Sequence, residues 1–125
     1  MILDTNALSA VADGNSALEP ILRNAAEIAV PVIVLGEYRY GIRQSRDRQR
    51  YEQWLDESLP DYRVLDVDEG TAVSYAALRS ELKRAGSPIP SNDVWIAALC
   101  RQHSLSLLSR DRHFDLVRGL ERIDW

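Results

Sequence analysis

The sequence predicts an α/β domain built on a mainly parallel central sheet. Short apolar runs alternate with longer helical patterns, the signature of strands joined by helical crossovers. The clearest helical repeat spans residues 69–85, where Ala72, Tyr75, Leu78, Leu82 and Ala85 recur at steps of three and four. Acidic residues follow two of the strand-like runs, Asp4 after Ile2-Leu3 and Asp111 after Leu107-Leu108. Open parallel sheets bind ligands beyond the carboxyl ends of their strands, near a topological switch point. No repeat, linker or low-complexity segment interrupts the 125 residues, so residues 1–125 are expected to form a single domain.

The elements follow in order. Residues 1–4 begin as a buried strand. Thr5 or Asn6 is expected to cap a short helix that runs through Val11 and ends near Asp13-Gly14. Residues 16–25 form a second helical piece with Pro20 in its first turn, and residues 28–30 a short strand. Pro31 suits the first position of a helix extending to about Gln44. Residues 46–58 make a charged helix whose apolar face is Tyr51, Trp54, Leu55 and Leu59. Residues 63–67 form a strand, and residues 69–85 the amphipathic helix closed by Gly86. After a loop at 87–90, Ser91 or Asn92 is expected to cap a helix carrying Asp93 and running to about Gln102. Strands at 105–108 and 120–124 complete the chain.

Bulk composition narrows the function. Apolar residues make up 46% and charged residues 27%, the balance of an ordinary globular protein. No apolar run is long enough to span a bilayer and no leader pattern opens the chain, so the cytoplasm is the expected location and no membrane partner is expected. Cys100 is the only cysteine, which excludes a thiolate metal site and predicts a buried, inert thiol. The net charge of −4 argues against nucleic-acid binding by bulk charge. Yet Lys83 is the only lysine, and the other cationic side chains are arginines, which suit bidentate phosphate contacts.

Four carboxylates stand where the chain should be apolar or tightly turned: Asp4, Glu37, Asp93 and Asp111. Carboxylates are seldom buried without a partner. Two unit charges ~4 Å apart repel by roughly 4 kcal/mol at an effective dielectric of about 20. A divalent cation relieves that repulsion, so a metal-dependent hydrolase is the first expectation. Thr5 and Asn6 add hard oxygen donors beside Asp4, of the kind Mg²⁺ and Mn²⁺ prefer. Ile33, Glu37 and Tyr40 share one helical face, and Gly36 is expected to let another backbone approach. Asp66 and Asp68 are expected to end a strand and cap a helix, and Asp115 to point away from the site. His103 reads as a helix C-terminal residue, and neither it nor His113 is needed for the chemistry.

Taken in order, Asp-Thr-Asn at the start, Pro-Val-Ile-Val-Leu-Gly-Glu, Asn-Asp-Val-Trp-Ile-Ala-Ala and Leu-Leu-Ser-Arg-Asp-Arg-His-Phe resemble the motifs of PIN domains. The resemblance is strongest to the VapC group, the toxins of toxin–antitoxin pairs, and it runs through essentially the whole chain. It implies a three-layer α/β/α fold and an endoribonuclease using Mg²⁺ or Mn²⁺. Residue by residue, Asp4, Glu37, Asp93 and Asp111 match the family's acids and Ser109 its small hydroxyl residue. One departure stands out: many relatives carry an acid just before the closing Phe, where this chain has His113 before Phe114.

On this reading Asp4 and Asp93 hold the principal ion and Glu37 orients or deprotonates the attacking water. Asp111 completes a weaker site, and Thr5, Asn6 and Ser109 fix the carboxylates. Arg39, Arg43, Arg110 and Arg112 are the candidate phosphate contacts. The resemblance further implies an RNA substrate, a cognate antitoxin, and homodimers within a toxin–antitoxin hetero-oligomer. The aromatic helices at 31–59 (Tyr38, Tyr40, Tyr51, Trp54) offer a docking surface for the antitoxin. Two other readings compete. A catalytically silent PIN-fold scaffold for RNA or protein would have no reason to keep all four acids. A phospho-accepting signalling domain would need paired early acids and a strand-end lysine, and Lys83 lies in a helix.

Overall fold

The computed structural model describes residues 1–125. Five short parallel strands form one sheet in the order β3-β2-β1-β4-β5. They are β1 (Ile2–Leu3), β2 (Ala29–Pro31), β3 (Arg63–Leu65), β4 (Leu107–Leu108) and β5 (Arg122–Ile123). The helices are α1 (Thr5–Ala12), α2 (Glu19–Asn24), α3 (Val32–Ile42), α4 (Arg48–Ser58), α5 (Glu69–Arg84) and α6 (Ser91–His103). Short 3₁₀ turns cover Leu59–Asp61 and Arg112–Leu116. The helices cover the sheet in a three-layer α/β/α arrangement. No helix is long and apolar enough to cross a membrane.

The sheet is short because each strand ends in a cap or a turn. Its middle strands are wholly apolar and buried: Ile2, Leu3, Ala29, Val30, Leu107 and Leu108 have no exposed surface. Such continuous apolar runs are what a sheet covered on both faces requires. Pairing of β1 with β4 sets Ile2 opposite Leu107 and Leu3 opposite Leu108. The next residues on each strand are Asp4 and Ser109. The chain builds outward from β1 through β2 to β3, then returns to the other side of β1 for β4 and β5. The crevice between β1 and β4 is therefore the topological switch point.

Several boundaries differ from the sequence reading, each for a local reason. Asp4 itself caps α1, accepting from the Ala7 amide at 2.8 Å, so neither Thr5 nor Asn6 is the cap. Pro31 is still extended (ψ 146°) and paired with Leu65, so α3 starts at Val32. Pro90, not Ser91 or Asn92, precedes α6, and its carbonyl accepts from the Val94 amide. The strand expected at 63–67 stops at Leu65, because Asp68 turns back to cap α5. The one expected at 105–108 begins only at Leu107: the Leu105 amide bonds the Cys100 carbonyl, closing α6 through a left-handed Ser104 (φ 54°). Gly36 has open space where a Cβ would sit, so no backbone approaches there.

The core joins both sides of the sheet to the helices, with Leu8, Val34, Leu55, Leu78, Ile96, Leu99 and Phe114 buried in it. Tyr38 is buried, its ring tilted against Trp54 with centroids 6.2 Å apart, while Tyr40 is 68% exposed. Tyr38 and Trp54 therefore pack inward, and among those aromatics Tyr40 is left facing solvent. Cys100 is buried, and burial pushes its thiol up to about 12, so the expected inert cysteine is found.

α6 carries Asp93, and a polar clasp ties that helix to α5. Asp68 and Thr71 form a reciprocal capping box at the start of α5. The wholly buried Thr71 hydroxyl also meets the Gln102 carbonyl oxygen at 2.6 Å, and the Gln102 amide donates to Asp68 at 2.8 Å. Gly70 makes room, since a Cβ there would lie 2.8 Å from that amide. Replacing Thr71 with Val removes the hydroxyl and strands the Gln102 carbonyl. Urea denaturation should show a loss of about 1–3 kcal/mol for Thr71→Val.

Candidate metal centre

Asp4 leaves β1 at the switch point and is 5% exposed. Burial raises its pKa above the ordinary 3.8, and the charge of Asp111 pushes the same way. The Ser109 hydroxyl and the Ala7 and Asn6 amides beside it oppose the rise. Asp4 thus serves twice, as helix cap and as buried charge. The Asn6 side chain is exposed, so Asn6 contributes its backbone rather than its amide group.

Ser109 extends β4 just as Asp4 extends β1. It is completely buried; its amide bonds the Ile123 carbonyl and its hydroxyl accepts from the Asp111 amide at 2.9 Å. That hydroxyl bends the chain so that Asp111 caps the 3₁₀ turn, accepting from the His113 amide at 2.9 Å. The Arg122 guanidinium holds the Ser109 carbonyl at 2.9 Å and pairs with Asp115. Asp115 is thereby engaged away from the other acids, as expected.

Asp93 lies in the first turn of α6, its side chain 21% exposed. Burial raises its pKa first, then repulsion from Asp111 and, more weakly, from Glu37, while His113 opposes them. Glu37 is half-buried at mid-α3 and borders a hollow of about 260 Å³ that Thr5 and Tyr38 also line. The Thr5 hydroxyl and the Tyr38 hydroxyl are both buried there without a partner. By repulsion, Asp111 thus raises the pKa of both Asp4 and Asp93, and Glu37 adds to that of Asp93.

His113 also stands in this group. Its Nδ1 lies 3.2 Å from Asp111 and 3.7 Å from Asp93. One donor atom from each of Asp93, Asp111 and His113 lies within 4.8 Å of the others. Ions of the size of Mg²⁺ or Mn²⁺ hold ligands at about 2.0–2.2 Å, so donors on either side of one ion are roughly 4.3 Å apart. Asp93, Asp111 and His113 therefore fit a small divalent cation with little movement; Asp4 and Glu37 lie outside this tightest group, Asp4 feeling the charge of Asp111 and Glu37 adding to that on Asp93. The sequence reading left His113 out. Its one signal was position, two residues past Asp111 in the closing turn.

The four arginines divide. Arg39 sits two residues from Glu37, about 200° around the helix, and pairs with Asp56 at 3.6 Å. Arg110 donates to the Trp125 carbonyl and covers its ring at 4.9 Å. Both are occupied within the fold. Arg43 and Arg112 are exposed and make no ion pair.

With this geometry in view, comparison with known proteins is decisive. Residues 1–120 match the PIN domain. The chain belongs to the PIN-domain family. Its relatives lie in the VapC branch. Ribonuclease VapC5 of Mycobacterium tuberculosis is 29% identical over 125 residues, 98% of this chain and 91% of that protein. Ribonuclease VapC4 of the same organism is 30% identical over 78% of this chain and 76% of that protein. The crystal structure of VapBC-5 from Mycobacterium tuberculosis, a member of the VapBC family of toxin–antitoxin systems, superimposes with a TM-score of 0.78. It is 29% identical and covers 99% of this chain and 97% of that one.

A carboxylate whose folded pKa is raised binds its proton more tightly when folded. In this PIN domain without cation, the contribution of Asp4 and Asp93 to stability therefore falls as pH climbs from the ordinary carboxylate value of 3.8 toward neutrality. Asp93→Asn removes that charge. In EDTA near neutral pH it should raise the thermal midpoint, roughly 4 °C per kcal/mol of repulsion relieved, and the gain should shrink at about pH 4. Scanning calorimetry of the two proteins across pH checks this.

Proposed function

We propose that this PIN domain is the toxin of a toxin–antitoxin pair, an endoribonuclease that hydrolyses RNA phosphodiester bonds with a water nucleophile. The observation that carries the reading is the convergence of Asp93, Asp111 and His113 within 4.8 Å, with buried Asp4 at the end of the adjoining strand, in a chain whose relatives include VapC ribonucleases. A silent scaffold would gain nothing from an arrangement that destabilises its own fold.

Asp4, Asp93 and Asp111 hold the cation, Mg²⁺ or Mn²⁺. When bound, it neutralises the phosphodiester, lowers the pKa of water and supports the leaving oxygen. Glu37, set apart from the tightest donor group, orients the attacking water or accepts its proton. Ser109 holds the turn that aims Asp111, and the capping bond from Ala7 fixes the direction of Asp4. The Thr5 hydroxyl, without a protein partner, is available to a water beside Glu37. Arg43 and Arg112 are the arginines free to meet RNA phosphates. The partner is a cognate antitoxin, as in the VapBC relative, and an RNA substrate puts the site of action in the cytoplasm.

Asp4→Asn and Asp93→Asn should each lower RNA cleavage at least about a hundredfold while circular dichroism stays that of the wild type. Asn at position 4 retains the helix cap, so loss of activity there is not loss of fold. EDTA should stop cleavage, and Mg²⁺ or Mn²⁺ should restore it. Full cleavage by the purified double variant would reject the assignment.

A further inference from the structure

We propose, resting on the metal-centre reading above, that His113 is itself a ligand of the cation and that its nitrogen biases the site toward Mn²⁺ over Mg²⁺. Just before the closing Phe114, His113 offers an imidazole. The turn delivers that imidazole to the acids. Asp111 accepts from the His113 amide at 2.9 Å, and this short loop brings the ring's Nδ1 to 3.2 Å from the same carboxylate. Nδ1 also reaches 3.7 Å from Asp93, which comes from a different element, α6. The ring is about half exposed, so packing does not force it there. The three donors lie within 4.8 Å of one another, with one nitrogen and two oxygens converging.

The donor set decides the ion. Mg²⁺ demands oxygen ligands in a near-ideal octahedron and dehydrates reluctantly. Mn²⁺, a softer first-row transition ion, accepts an imidazole nitrogen among oxygen ligands more readily than Mg²⁺ does. Replacing an anionic oxygen by a neutral nitrogen therefore costs Mg²⁺ more than Mn²⁺. The bland alternative is that His113 is only a counter-ion for Asp93 and Asp111 and leaves when a cation arrives. The two differ in what the bound metal sees.

The purified protein, its His113→Asp variant and its Asp93→Asn variant are titrated with Mn²⁺, followed by electron paramagnetic resonance, and Mg²⁺ is measured by competition. Pulsed spectra of the bound Mn²⁺ report nitrogen coupling. The wild type should show ¹⁴N modulation that His113→Asp lacks while still binding Mn²⁺. The Mn²⁺-to-Mg²⁺ affinity ratio should fall about tenfold or more in that variant. The only other histidine, His103, lies ten residues after Asp93 on α6, about 15 Å away along the helix axis, so it cannot supply the signal. Mn²⁺ bound by the wild type without nitrogen coupling, or an unchanged affinity ratio, would overturn the role of His113 and leave the acidic site standing. Failure of the wild type to bind Mn²⁺, or equal binding by Asp93→Asn, would overturn both.

Discussion

Parallel pairing of β1 with β4 is the constraint on which the rest of this molecule depends. The register sets Ile2 against Leu107 and Leu3 against Leu108, so the first polar residues past each strand, Asp4 and Ser109, emerge side by side. Neither strand is longer than two residues. Their side chains are nonetheless wholly buried, and a one-residue slip would draw Asp4 or Ser109 into that apolar pairing. The apolar pairing therefore holds the register, and the register sets where Asp4 and Ser109 emerge. Asp4 and Asp111 lie about a hundred residues apart in the chain, and no local interaction could hold them together.

The same burial that aligns the strands makes the carboxylates costly. Asp4 and Asp93 both have raised pKa values, with desolvation the first cause and neighbouring acids adding to it. The fold offsets part of this with bonds that serve as structure elsewhere: an N-cap at Asp4, a serine turn before Asp111, and an imidazole between Asp111 and Asp93. What remains uncompensated is repulsion that a divalent cation would relieve. Carboxylates perturbed by burial and by like charges in this way are the kind that cluster at functional centres.

Much of the fold was legible in the sequence, because hydrophobic period and alternation are local properties. The order of strands and helices, the parallel sheet, the long amphipathic helix and the inert cysteine all follow from patterns within a few residues. Caps were less legible. Asp4 stands where a strand stops and a helix starts, and a residue can belong to both only when tertiary pairing decides which end it joins. Strand ends at Leu65 and Leu107 moved inward because capping and closure bonds claimed Asp68 and Leu105. At the site, the four acids could be named from the sequence, but not their adjacency. His113 could not be placed, since its approach to Asp93 depends on a 3₁₀ turn meeting the first turn of another helix. Arg39 and Arg110 looked free only because Asp56 and Trp125 are distant in sequence.

The central claim is that distant carboxylates converge on one position where a cation belongs. A crystal soaked in Mn²⁺ and measured at the manganese absorption edge tests it most directly. The account predicts an anomalous difference peak in the β1–β4 crevice, bounded by the carboxylates of Asp4, Asp93 and Asp111. A well-diffracting soaked crystal with no peak there, or with its peaks only elsewhere on the surface, would contradict it.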